Sequence, residues 1–586
     1  MKRNYVGLAN SFHDSAIAIV DARGEVVFAE ATERYLQHKR TIGIPSDLFM
    51  RTASLIDTYC DPDAELVIST SWSDDTADIM RRNLDQAAET TGRYSGMLGE
   101  VPAPLRRQLS RQNFYFRSQL SMLDHPGRLL EYELSQSERW ERTPISYRRF
   151  EHHLTHAAAS CFSSPFDRAL CAVLDGFGER SSFACFRYDN GRLTPIEGLD
   201  SHGWASLGIF YSLLCEACGF NHLSGEEWKV MGLAAYGHPD DALYAMLREM
   251  IDVDGLSIRF AAPARMAQLQ AKLHAMRRKD GQPAIEFADL AYAGQRVFSD
   301  VLFAFLRNLH DRHAAGFSDN LVFGGGCALN SSANGKILAH TPFDHLHVFS
   351  APGDDGNAVG AALLAYRDDH PAVPARSEPL SPYLGSRMSG ETLRNLVAFG
   401  GIGKLTQCAG DAPKRAAELL ACDKIIGWVQ DRAEFGPRAL GNRSILADPR
   451  SPAVKDRINA TVKFREEFRP FAPAILHEFG ADYFHDYHES PYMERTLRFR
   501  EHALGSVPGV VHADGTGRLQ TVRQNWNPRF HALVSEFFRL TGVPLVLNTS
   551  FNVMGKPIAH SVEDALAVFF TSGLDALFIG DILIEK

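Results

Sequence analysis

The sequence predicts an α/β protein of two domains, the first of them built twice on one plan. Three observations carry this. A strand, polar loop and hairpin occur at residues 5–31 and again at 169–198. The stretch Asp368 to Pro382 (DDHPAVPARSEPLSP) has four prolines and no apolar periodicity, as an exposed linker would. Beyond it, buried-looking strands such as KIIGWVQ and VPLVLNTSFNV alternate with helical segments, one of them near 528–541.

In the first copy, YVGLAN reads as a strand, followed by a polar loop with His13 and Asp14, the strand AIAIVD, the turn ARG and the strand EVVFAEA. The second copy reads ALCAVLD, the loop GFGER, SFACFRY, the turn Asp189-Asn190-Gly191 and RLTPIE. Asn-Gly supplies the positive φ angles that a two-residue hairpin needs. Duplication of this kind implies a paired α/β fold with a nucleotide in its cleft.

Between the copies, EHHLTHAAAS is helix-compatible, so His152 and His156 share one face and can approach a single metal ion. A structural histidine pair accounts for the spacing equally well. His153 stands where a zinc-protease motif needs its glutamate, which removes the base for peptide hydrolysis. The candidate remaining ligands are Asp175, ending ALCAVLD, and Asp354, in APGDDGNAVG. Two imidazoles and two carboxylates suit Fe(II), Mn(II) or Zn(II) better than Ca(II).

Two glycine sites fit the nucleotide cleft. NLVFGGGCALNSSANGK reads as a strand, then Gly324, Gly325 and Gly326, then a helix start at Asn330, aiming backbone N–H groups at a phosphate. GEEWKVMGLAAYG adds Lys229 and a second close-approach glycine, Gly232. Taken singly, each loop could be a structural turn. No GxxxxGK[ST] occurs, so this is not a P-loop enzyme.

In the second domain, Trp428 to Pro473 gathers Arg432, Arg438, Arg443, Lys463, Arg465 and Arg469 among glycines and prolines. Arginine forks match phosphate and glycine lets backbone come close, so the segment reads as an anion site rather than a salt-bridged helical surface. Asn548, Thr549, Ser550 and Asn552 lie just past a buried strand, where α/β sites form, although turn chemistry also uses these residues.

At 586 residues the chain exceeds one hydrophobic core. Its nine scattered cysteines read as free thiols in a reducing compartment, and Cys215 with Cys218 lies on an apolar helix face rather than at zinc. Polar residues interrupt the N-terminus before a signal core could form, and no apolar run reaches membrane length. A cytoplasmic protein with no membrane partner is expected. The net charge of −10, without a long basic tract, argues against a nucleic-acid partner.

HDSAIAIV, HHLTHAAAS, LDGFGE, KVMGLAAYG, GGGCALN, GDDGNAVGAA, EFGPRALGNRSILADP, KFREEFRPFAP, HADGTGRLQTV and LNTSFN stand in this order along the chain. In these motifs, over nearly its whole length, the chain resembles the NodU/CmcH family of O-carbamoyltransferases. The resemblance implies a duplicated actin/sugar-kinase-like, threonylcarbamoyl-transferase-like domain over 1–370 and a YrdC-like α/β domain over 383–586. It implies metal ligation by His152, His156, Asp175 and Asp354, the ion being Fe(II), with Zn(II) or Mn(II) as alternatives. The form GDxG selects Asp354 over Asp355. Carbamoyl-phosphate contacts fall on Arg438, Lys463, Arg469, Arg518, Asn548 and Ser550, and His13 lies near the reacting groups as base or phosphate ligand. The resemblance implies catalytic roles for His13, Arg438, Lys463 and Arg518.

The implied chemistry is cleavage of carbamoyl phosphate, activation of the released carbamate by ATP (with Mg(II)) as carbamoyl adenylate, and transfer to a hydroxyl of a small natural product, as in antibiotic biosynthesis. Residues 72–147 are the expected acceptor region. A fused tRNA threonylcarbamoyladenosine synthase and a non-catalytic nucleotide-binding regulator are the alternatives. The acidic charge opposes the first, and two complete sites oppose the second.

Overall fold

A computed structural model describes residues 2–10, 12–82, 85, 117, 120, 123, 126–201, 205–401 and 404–586. The chain forms two compact units. The first takes in Met1–Thr32, Arg40–Leu329 and Ile337–Leu380, and the second Glu33–Lys39, Asn330–Lys336 and Ser381–Lys586.

Within the first unit, β1 (Arg3–Ala9), β2 (Ala16–Val20), β3 (Val26–Ala31), β4 (Glu65–Thr70) and β5 (Ile145–Arg149) form a sheet of order β3-β2-β1-β4-β5. The first three strands pair antiparallel, and β4 and β5 then add in parallel. The strands β6 (Arg168–Leu174), β7 (Phe183–Asp189) and β8 (Arg192–Pro195) repeat the antiparallel meander. A small sheet of β9 (Asp200–Ser201), β10 (Ile251–Asp254) and β11 (Ser257–Phe260) intervenes. Then β12 (Asn320–Gly324) and β13 (His345–Val348) add in parallel to β6, in the order β13-β12-β6-β7-β8. The two sheets have one topology, so the duplication expected from the hairpins extends to five strands. The predicted turn is present, with φ of 48° at Asn190 and 88° at Gly191.

Each copy ends in a helix, His152–Phe162 after β5 and Asn357–Asp369 after β13. Both are rich in alanine, and they pack backbone to backbone. A Cβ on Gly360 would lie 2.0 Å from the Thr155 carbonyl oxygen, and one on Gly7 of β1 would lie 1.8 Å from that of Ala358. Glu151 accepts the Leu154 N–H at 2.8 Å and so caps the first helix.

In the second unit, β14 (Lys404–Gln407), β15 (Ile426–Val429), β16 (Arg443–Ala447), β17 (Ala472–Leu476), β18 (Arg495–Arg498), β19 (Thr516–Val522), β20 (Leu545–Ser550), β21 (Ala576–Ile579) and β22 (Ile582–Glu585) make one mixed sheet of order β14-β22-β21-β15-β16-β20-β17-β19-β18. The helices Ala412–Ala421 and Pro528–Thr541 pack together, and Leu420, Phe530, Leu533 and Phe537 join the strands in one apolar core. Among the described residues, no helix is long and apolar enough to cross a membrane. Cys215 and Cys218 are buried, the first in the helix Leu207–Ala217 and the second at its end.

Candidate metal centre and anion site

The duplicated frame brings four chain segments to one point. His152 and His156 project from the helix after β5, Asp175 follows β6, and Asp354 starts the turn that leads into the helix after β13. Each offers one ligand atom, and the four atoms lie within 4.8 Å of one another, all buried. The Nε2 atoms of His152 and His156 are 3.2 Å apart. His152 Nε2 is 3.2 Å from Asp175 Oδ2, and His156 Nε2 is 3.3 Å from Asp354 Oδ1. Bonds of about 2.1 Å to a tetrahedral ion give ligand–ligand edges of about 3.4 Å, close to these three, while the edges from His152 to Asp354 at 3.8 Å and from His156 to Asp175 at 3.6 Å would close slightly around a transition-metal ion.

The electrostatics also call for a cation. Burial works against a charged His156, but hydrogen bonds to Asp175 and Asp354 outweigh it and raise its pKa to about 10. Burial would raise Asp354 and Asp175, yet both are held below the ordinary carboxylate range, mainly by the histidines. Asp175 is oriented through its second oxygen, Oδ1, which accepts the Gly326 N–H at 3.0 Å. The His152 ring stacks on Trp72 at 4.0 Å, and its backbone N–H reaches the buried Glu179 at 3.3 Å. The sequence assigned no role to Trp72 or to Glu179, although the latter closes the motif LDGFGE.

His13 lies in the β1–β2 loop, with Nδ1 2.9 Å from Asp14 Oδ2 and 3.7 Å from Asp354 Oδ2. Burial and Arg40 push its pKa down, but Asp14 and Asp354 prevail and raise it.

The expected nucleotide residues are distributed differently. Gly324 ends β12, and Gly325, at φ of 83°, makes the turn after it. Gly326 gives its N–H to Asp175 Oδ1. The segment expected as a second glycine loop is instead the helix Glu227–Ala234, with Gly232 inside it and Lys229 Nζ 2.7 Å from Glu226. Helix formers and the buried face of Val230, Leu233 and Ala234 outweigh one glycine there. Asn330 belongs to the second unit, where its side chain caps Ser331–Asn334. The expected acceptor region falls mostly on residues outside those described; Trp72 opens it.

In the second unit, burial and then neighbouring cations hold Lys463, Arg465 and Arg518 well below their usual pKa values. Burial lowers Arg438 to about 10. Burial takes Arg518 far below its usual value, with Arg438, Arg465 and Arg469 adding to it. Burial and Arg469 do the same to Arg465. Arg469 pairs with Glu466 at 3.2 Å. The side chains of Arg438 and Arg518 make no hydrogen bond or ion pair among the described residues, and the Arg518 Nε is buried. Cations crowded in this way need an anion.

Lys463 is buried and donates to the Ser550 carbonyl and to Asn552 Oδ1 at 2.7 Å, so it braces the end of β20. Asn548 is buried and lies on β20 two residues before Ser550. Two arginines of the basic segment prove structural. Arg443 is fully buried and donates to the carbonyls of Gln430, Asn442, Ser386 and Asp431, and Arg432 donates to those of Gly385 and Leu384. Their spacing resembles that of the others; only the fold shows that their guanidinium groups hold backbone carbonyls. His512, also missed, neighbours Arg518 and is kept neutral by burial, its pKa falling to about 4.

Two family models cover this architecture, the carbamoyltransferase N-terminus over residues 4–363 and the carbamoyltransferase C-terminus over 417–586. The chain belongs to the carbamoyltransferase family. It is an enzyme that transfers carbamoyl groups. Similar proteins include nodulation protein NolO of Bradyrhizobium diazoefficiens, 37% identical over 74% of this chain and 78% of its own. An uncharacterized protein of Synechocystis sp. is 30% identical over 99% and 96%, and nodulation protein U of Sinorhizobium fredii 27% over 94% and 94%. Among solved structures, T. kodakarensis HypF aligns with a TM-score of 0.32 and 13% identity, over 65% of this carbamoyltransferase and 49% of HypF. The topology given above rests on the strand order itself.

Proposed function

We propose that this carbamoyltransferase takes its carbamoyl group from carbamoyl phosphate, activates it with ATP and delivers it to a hydroxyl of a small natural product. The observation that carries the reading is the pair Arg438 and Arg518, half-buried guanidinium groups with no counter-ion among the described residues. A dianionic phosphate supplies that charge, and the same donors stabilise phosphate as it leaves the carbamoyl carbon. Water takes the carbamoyl group as carbamate, inorganic phosphate departs, and a carbamate oxygen then displaces pyrophosphate from the α-phosphate of ATP. The alcohol attacks the carbonyl carbon of the resulting carbamoyl adenylate, and AMP leaves with the bridging oxygen.

His152, His156, Asp175 and Asp354 would hold a divalent ion, iron in our reading, whose chemistry is to offset phosphate charge. A protonated His13 would bind a phosphate oxygen beside them. The antibiotic class of acceptor belongs to this proposal too, with an oligosaccharide alcohol as a second candidate. The test is AMP release by the purified enzyme. It should require both carbamoyl phosphate and an added alcohol; product formed when either carbamoyl phosphate or ATP is omitted would refute the scheme.

A further inference from the structure

Resting on the reading of the second unit as the carbamoyl-phosphate site, we propose that Gln520 sets donor specificity. It fixes the Asn548 amide so that Oδ1 accepts a hydrogen bond from the carbamoyl amino group.

Both side chains are 1% exposed. Gln520 Nε2 donates to the Leu440 carbonyl at 2.8 Å, and a carbonyl can only accept, so Oε1 must face the other way. Oε1 in turn accepts from Asn548 Nδ2 at 2.7 Å, and the same Nδ2 also donates to the Ala439 carbonyl at 3.1 Å. Both Nδ2 hydrogens are spent and the amide cannot flip. Its Oδ1 is left buried with no partner. A buried acceptor of this kind costs free energy until something donates to it.

The strand order makes the relay possible. Asn548 on β20 lies opposite Ala472 of β17, and Gln520 on β19 lies opposite Ala474. Only methyl groups stand between, so Gln520 reaches Asn548 across the middle strand. Arg518, two residues before Gln520, faces the same side of the sheet. The anchoring carbonyls, those of Ala439 and Leu440, directly follow Arg438. That loop is itself rigid, since Glu434 Oε1 accepts the N–H groups of Leu440, Asn442 and Arg443 at 2.7, 2.7 and 3.1 Å.

Arginine and lysine only donate. They suit the phosphate and the carbonyl oxygen of the donor, but they cannot read its amino group. Asn548 Oδ1 can. Acetyl phosphate, which differs by a methyl group in place of the amino group, would leave it unpaired.

The experiment compares the KM for carbamoyl phosphate with inhibition constants for acetyl phosphate and inorganic phosphate, in wild type and Gln520→Met. Wild type should favour carbamoyl over acetyl phosphate by about 100-fold or more, as sites built around a substrate N–H do. Gln520→Met should erode that ratio about tenfold while inorganic phosphate binds as before, because the arginines are untouched. An unchanged ratio in folded Gln520→Met overturns the relay. Equal affinity of wild type for the two acyl phosphates overturns it without any variant. Failure of wild type to bind any of the three phosphates would instead remove the underlying site reading.

Discussion

A guanidinium placed where it meets only other guanidinium groups is kept for a ligand, because it weakens the protein that carries it. Arg518 is such a residue, with its pKa driven far down by burial and then by Arg438, Arg465 and Arg469. Arg518→Ala should therefore lower kcat/KM for carbamoyl phosphate by about 100-fold or more, on the scale of a lost charge-stabilising donor. Transfer from preformed carbamoyl adenylate should change little, and rapid-quench assays of the two half-reactions would separate them. The folded state gains by losing an unpaired, half-buried charge, so the same variant should melt higher than wild type when phosphate is absent, by differential scanning fluorimetry. His156→Ala opens the metal centre instead. Metal content measured by mass spectrometry should fall to about a tenth or less, since one of the buried ligands is lost and two carboxylates remain crowded. These residues were legible in the sequence because histidine, aspartate and arginine carry their chemistry in the side chain. Gln520, Glu434 and Trp72 were not, because each acts through partners that only the fold brings near.

At the level of elements, the candidate metal centre depends on how closely two helices approach. His152–Phe162 carries two ligands, and Asn357–Asp369 follows the turn that carries Asp354. They touch where Gly360 meets the Thr155 carbonyl, with 2.0 Å left for any Cβ. Gly360→Ala must push the helices apart. We expect a loss of about 1–3 kcal/mol in urea unfolding, the usual cost of overpacking, together with weaker metal retention. Full metal content at wild-type stability would contradict the packing role. The hairpins were legible because alternation and Asn-Gly turns are local signals. The segment Gly225 to Gly237 was not, because its glycines suggested a loop while its apolar spacing made the helix Glu227–Ala234. The order of the nine strands in the second unit was beyond reach for another reason: it pairs β17 with β19 and β20 across long intervals, and nothing in either strand names its neighbour.

For the whole molecule, duplication explains where the first site lies. Asp14 and Asp175 occupy matching loops after the first strand of each copy, and Glu151 with His152 and Asp354 with Asp355 occupy matching starts of the final helices. The centre therefore stands where the two copies present the same pair of loops to each other, and it is complete within the first unit. The anion cluster is complete within the second. Two sites, each whole in its own unit, should fail independently. Removing the metal with a chelator should stop AMP and pyrophosphate formation while phosphate release from carbamoyl phosphate continues. Arg438→Ala should do the reverse when carbamoyl adenylate is supplied, forming product without consuming carbamoyl phosphate. Parallel assays of phosphate, pyrophosphate and AMP on the full chain distinguish the two patterns. If chelation halted phosphate release as completely as AMP release, the charge needed to split the donor would have to come from the metal centre, and the arginines of the second unit would lose their role.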